Sequence, residues 1–151
     1  MNEIKVIETL GNQLINFGTT DEKITLDQVK KLYSLGYSFY ETGSYKKAKE
    51  VLKIVTTLSP FYTDALFALG MTYFQLKDFD LAIRAFEALE FIDPKNPLAA
   101  LYIGYTLIEK NELTNSITFI EKAISKMDAT HPQFEKAKLV LMRLNEHDFS
   151  N

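Results

Sequence analysis

The sequence contains no cysteine and no tryptophan, and only four prolines and six glycines. Without cysteine there can be no disulfide, no thiol nucleophile and no cysteine-held zinc, a composition compatible with a reducing cytosol. A basic excess is also missing. Seventeen Lys and Arg against 20 Asp and Glu leave a net charge of -3 and a pI near 5.4, the opposite of the basic footprint that nucleic-acid binders carry. Apolar runs such as Leu98–Tyr105 fall far short of the roughly 18 residues a membrane span needs. The opening residues, Met1–Glu8, interleave charges with apolar side chains and do not form the apolar region of a signal peptide. The two histidines, His131 and His147, stand near a helix start and in the tail. Neither falls in a recognisable catalytic constellation, so both are expected to be exposed and inert. No phosphate-cradling glycine loop and no metal-ligand spacing occur. These absences point to a soluble intracellular chain that is not an enzyme and uses no cofactor.

What is present is a repeat. Gly36, Gly70 and Gly104 lie 34 residues apart, and so do Ala48, Ala82 and Ser116, as well as Pro60 and Pro94. Leu35, Leu69 and Ile103 precede the glycines; Phe39, Tyr73 and Leu107 follow them at one offset. Leu52, Phe86 and Ile120 share a further column, and Val55, Leu89 and Ala123 another. The period, the Leu-Gly-x-x-Tyr of the middle unit, and its Ala, Phe and Pro match the tetratricopeptide pattern, with Leu66 where tryptophan is usual. The units are residues 29–62, 63–96 and 97–130. Each reads as two antiparallel helices, A and B. The A-helix glycine costs about 1 kcal/mol against alanine in isolation, so its return must be close packing of helix B. The turns are expected at Thr42-Gly43-Ser44, Lys77-Asp78 and Asn111-Glu112. Thr25 with Gln28 has capping-box spacing, and Asn96-Pro97 reads as an N-cap followed by proline at the first helical position.

Both flanks are helical in pattern. Ile7, Leu10, Leu14 and Phe17 recur at three- and four-residue steps, predicting an amphipathic helix over 1–18 and a polar connection to residue 25. Phe134, Ala137, Leu141 and Leu144 form the stripe of a capping helix within 131–147, expected from Pro132 to Glu146. The expected fold is therefore all-α: one domain with an N-terminal helix, three tandem helix-turn-helix repeats in a right-handed superhelix, and a C-terminal cap.

In such an array the A helices line the concave face. The slots three before, one after and four after each glycine point there. They hold Tyr33, Tyr37 and Tyr40, then Phe67, Met71 and Phe74, then Leu101, Tyr105 and Ile108. A solvated face would carry charged and amide side chains in these slots. Aromatic residues dominate interface energies and methionine adapts to irregular surfaces, so an apolar peptide groove is the expectation, with some of the set packed between neighbouring A helices. Gly36, Gly70, Gly104, Ala48, Ala82 and Phe86 belong instead to the repeat core.

With the groove assigned, the chain resembles the tetratricopeptide-type (class II) chaperones of bacterial type III secretion. The resemblance lies in Leu32-Tyr33-Ser34-Leu35, Gly43-Ser44-Tyr45-Lys46-Lys47-Ala48, Phe79-Asp80-Leu81-Ala82-Ile83 and Leu107-Ile108-Glu109-Lys110-Asn111-Glu112-Leu113. It covers roughly residues 20–145. It implies a bacterial cytosolic protein, often a homodimer through its N-terminal helices. Its partner would be a hydrophobic secreted translocator or effector, held as an extended peptide by a few apolar side chains. Asn115-Ser116 departs from the usual Glu-Ala, and residues 1–18 are only weakly similar. A general adaptor that scaffolds a multiprotein complex is the alternative. Tyr33, Tyr37 and Met71 replace the Lys, Asn and Arg with which related domains clamp an acidic C-terminus, which argues against that specificity.

Overall fold

The structure, a computed structural model, describes residues 24–148. Seven helices follow one another: α1 Leu26–Glu41, α2 Tyr45–Leu58, α3 Thr63–Gln75, α4 Phe79–Ile92, α5 Pro97–Glu109, α6 Leu113–Ser125 and α7 Phe134–Asp148. Each packs on its neighbours in sequence, and α1 also touches α3. Helices α1, α3 and α5 are the A helices; α2, α4 and α6 are the B helices. The amphipathic stretch at 1–18, and the dimerisation it implied, lie outside the described residues.

Local chemistry sets the helix ends. The Thr25 hydroxyl accepts from the Gln28 amide at 3.2 Å, and the Gln28 side chain accepts from the Thr25 amide at 2.8 Å, closing the capping box of α1. Asn96 caps α5 by accepting from Leu98 N–H at 3.0 Å, with Pro97 behind it. The three A-to-B turns share one device. Gly43, Lys77 and Asn111 all have positive φ, at 77°, 62° and 61°. The next residue's N–H donates back to a carbonyl in the last helical turn: Ser44 to Phe39, Asp78 to Tyr73 and Glu112 to Leu107, at 2.8–2.9 Å. This pairing is the Schellman closure.

The glycine column sits against the core column of the facing helix. A Cβ on Gly36 would stand 2.9 Å from the Leu52 side chain, one on Gly70 2.5 Å from the Phe86 ring, and one on Gly104 2.6 Å from Ile120. Leu52, Phe86 and Ile120 are fully buried, as are Ala48, Ala82 and Ser116. Ion pairs tie repeat to repeat. Glu90 on α4 meets Lys122 at 2.6 Å and Lys126 at 3.2 Å, both from the third repeat. Burial alone would raise the Glu90 carboxyl, but hydrogen bonds from the two lysines outweigh it and hold the pKa below its usual value. Lys110 bridges Asp80 at 2.8 Å and Glu112 at 2.9 Å. Among the described residues, no helix is long and apolar enough to cross a membrane.

The cap differs from its expected bounds. Helix α7 starts at Phe134, not Pro132, and runs to Asp148. The third repeat has Asp128 in the Pro60 and Pro94 column, and the chain from there makes its own turns. Thr130 N–H donates to Asp128 Oδ1 at 2.8 Å, Gln133 N–H to His131 Nδ1 at 3.2 Å, and Phe134 N–H to His131 O at 2.9 Å. His131 is therefore half-buried and structural, where exposure was expected; His147 is exposed.

Candidate peptide groove

On α1 the three-and-four spacing stacks tyrosines along one face. Ring centroids of Tyr33 and Tyr37 lie 5.9 Å apart and those of Tyr37 and Tyr40 6.1 Å apart, with planes within 26° and 24°. Tyr33 leans on Tyr62 at 5.0 Å and Tyr40 on Tyr45 at 5.6 Å. The ladder is thus fixed from both ends by the loop before α3 and the start of α2. Tyr37 remains 40% exposed, whereas Tyr33 and Tyr40 are half-buried. Burial, then the Asp64 carboxylate, pushes the Tyr33 phenol up to about 12. Burial also raises Tyr40, against an opposing hydrogen bond from Gln75.

The second and third repeats join through rings. Phe67 meets Tyr102 edge-on at 5.2 Å and lies 5.9 Å from the buried Phe86. Tyr102 in turn meets Tyr105 edge-on at 5.6 Å. Phe74 packs edge-on against Phe79 at 5.8 Å, across the A-to-B turn. Phe67, Met71 and Phe74 are half-buried, as are Tyr105 and Ile108.

Leu101 is the exception and corrects the expected groove set. It is fully buried and packs with Ala137 and Leu144 of α7. The same slot that opens to the A-helix face at Tyr33 and Phe67 is roofed by the capping helix in the last repeat. Conversely, Tyr102 was not expected on this face. Its column holds Ser34 and Ala68, both small. The out-of-column size of Tyr102 was the available signal. Its ring spans the gap between repeats, and burial raises its phenol.

A pocket of about 310 Å³ lies at the third-repeat end of this face. Phe74, Tyr102, Tyr105, Ile108 and Glu109 line it from the repeats, and Lys136 and Val140 line it from α7. The Lys136 ammonium sits 5.7 Å from the Tyr105 ring centroid. The Tyr105 hydroxyl is buried and has no hydrogen-bond partner. Among the described residues, no cluster of His, Asp or Glu is arranged to hold a metal ion.

The columns, the glycine–core pairs and the A-helix face define a tetratricopeptide array, and a tetratricopeptide-repeat profile matches residues 33–97 and 78–132. The chain belongs to the tetratricopeptide-repeat family. The low calcium response locus protein H of Yersinia pseudotuberculosis serotype I (strain IP32953) is 25% identical over 114 residues, 76% of this chain and 67% of that protein. Among solved structures, PcrH in complex with the chaperone binding region of PopD matches with a TM-score of 0.80 at 15% identity, over 85% of this chain and 99% of PcrH, a protein of Pseudomonas aeruginosa. The Yersinia enterocolitica type III secretion chaperone SycD in complex with a peptide of the translocator YopD matches with a TM-score of 0.74 at 24% identity, over 83% of this chain and 95% of SycD. What these structures share with the chain is the fold.

Proposed function

We propose that the chain is a non-catalytic chaperone of type III secretion, working in the bacterial cytosol. It holds an extended apolar segment of a translocator or other secreted substrate on its A-helix face before export. The observation that carries this reading is the row of rings Tyr33, Tyr37 and Tyr40, continued by Phe67, Tyr102 and Tyr105. Rings at this spacing offer apolar area for alternate side chains of an extended segment, and their hydroxyls suit its main-chain groups. The similarity to SycD and PcrH, described with translocator peptides bound, supports the same use of the face. The charge and buried core suit a carrier that masks a membrane-active partner, and no reaction is required of it.

The test is co-expression with a candidate translocator from the same organism. The partner should be insoluble alone, soluble with the wild-type chain, and insoluble again with the Tyr37→Ala, Tyr40→Ala double variant. A partner that is folded and soluble by itself, and binds equally to both forms, would instead mark a general adaptor and overturn the reading.

A further inference from the structure

We infer that the pocket between α3, α5 and α7 is a separate subsite that takes one aromatic side chain of the bound segment and hydrogen-bonds the adjoining main chain through the Tyr105 hydroxyl. The inference rests on the chaperone reading above and specifies what the segment must contain.

Three observations converge on this pocket. First, its walls are mostly apolar: the rings of Phe74, Tyr102 and Tyr105 line it with Ile108 and, from the capping helix, Val140, and the charged Glu109 and Lys136 complete the lining. Edge-to-face partners favour an aromatic occupant over an aliphatic one of similar area. Its size, about 310 Å³, is at the lower bound of ligand pockets, room for one side chain and its flanking peptide groups rather than for a cofactor. Second, the Tyr105 hydroxyl is buried without a partner. A buried hydroxyl left unpaired is destabilising, and an acceptor brought by an occupant removes that penalty. A carbonyl oxygen of the segment is such an acceptor, and every residue of an extended peptide supplies one. Third, the pocket is continuous with the groove. Tyr102 forms both its wall and the edge-on contact with Phe67, so a segment lying along the A helices reaches it without leaving the face. The Lys136 side chain, itself exposed, lies over the Tyr105 ring. It is the flexible group that must swing aside to admit the occupant.

Helix α7 thereby has a second role. It covers Leu101 and the end of the core, and it also completes the wall of the subsite.

The experiment is methyl NMR on the full chain with isotope-labelled isoleucine and valine. It is titrated with N-acetyl-phenylalanine methylamide, then with the leucine and alanine analogues. The phenylalanine probe should shift Ile108 and Val140 saturably. The leucine probe should bind about threefold more weakly or worse, the step expected for a lost aromatic pair. Tyr105→Phe should weaken the phenylalanine probe by a similar factor while the free protein melts at the same temperature or higher, which a merely structural tyrosine would not do. Equal binding of leucine and phenylalanine, or shifts that bypass Ile108 and Val140, overturns the inference. So does movement of the same methyls on simple dilution of the chain, which would assign the pocket to a second copy. A translocator segment that needs Tyr37 and Tyr40 but ignores Tyr105→Phe leaves the chaperone reading standing and removes this subsite alone. A probe that binds here while no translocator segment binds the chain leaves a pocket and removes the chaperone reading.

Discussion

A Cβ placed on Gly70 would lie 2.5 Å from Cε1 of the Phe86 ring, closer than non-bonded carbons approach. Phe86 is fully buried and a ring has no flexible end to withdraw. Gly70→Ala should therefore destabilise the protein by about 1–3 kcal/mol, as overpacking does, even though alanine gains about 1 kcal/mol of helix propensity. Gly36→Ala should cost less, because the atoms it meets are the Leu52 branch at 2.9 Å. Urea midpoints of the two variants give the order directly. If Gly70→Ala is the milder, the two columns are not in the contact described.

Ser116 occupies the alanine column, and its hydroxyl is fully buried without a partner. Removing an unsatisfied buried hydroxyl relieves its desolvation penalty, about 1–3 kcal/mol. Ser116→Ala should raise the melting temperature. A fall would mean that the hydroxyl has a partner in solution, such as a bound water.

Lys77 holds a positive φ of 62° at the position where the first repeat has Gly43. A left-handed conformation costs a non-glycine residue about 1–2 kcal/mol, part of which glycine returns as greater freedom in the unfolded chain. Lys77→Gly should stabilise by a few tenths to about 1 kcal/mol, and Asn111→Gly by less, since asparagine tolerates this region better. Denaturant midpoints of the two single variants check the ranking.

The repeat columns could be read from sequence because each records a contact made three times over. Glycine against a large apolar residue leaves a period that needs no coordinates to find. The turns were legible for the same reason, although only the structure shows that Gly43, Lys77 and Asn111 share one backbone conformation. The failures fall where the repetition stops. Leu101 obeys its column in sequence but is roofed by α7, the helix that follows the last repeat. Tyr102 breaks a column of small residues and reaches across to Phe67, a contact between repeats that spacing within one repeat cannot reveal. The start of α7 moved because Asp128 replaces the proline that closes the other units, and His131 rather than Pro132 organises the turn.

Burial raises the phenols of Tyr33, Tyr40, Tyr62, Tyr73, Tyr102 and Tyr105, with Tyr33 reaching about 12. In the unfolded chain tyrosine ionises near pH 10. The folded state keeps protons that the unfolded state gives up, so the contribution of these groups is intact below about pH 10 and is lost as pH rises towards 12. The melting temperature should fall steeply across that window. Absorbance at 295 nm should show part of the tyrosine ionising only as the helices melt. Full titration near pH 10 with helicity retained would contradict the burial of these rings.

The A-helix face and the core make separable demands. Phe86→Ala should lower stability by about 3–5 kcal/mol, as a truncation in a packed core does. Tyr40→Ala combined with Phe67→Ala should weaken binding of a translocator segment by about 2 kcal/mol or more if both act as central anchors. Phe67, however, lies 5.9 Å from the Phe86 ring and meets Tyr102 edge-on, so its truncation also loosens the core. Binding of that pair must be measured well below its own melting temperature. Tyr37→Ala is the cleaner probe, because Tyr37 is 40% exposed and its ring contacts are with its groove neighbours Tyr33 and Tyr40. Calorimetric titration should show weaker binding by about 1 kcal/mol or more at an unchanged melting temperature. Undiminished affinity in both variants would remove the aromatic ladder from the binding surface, whatever the fold.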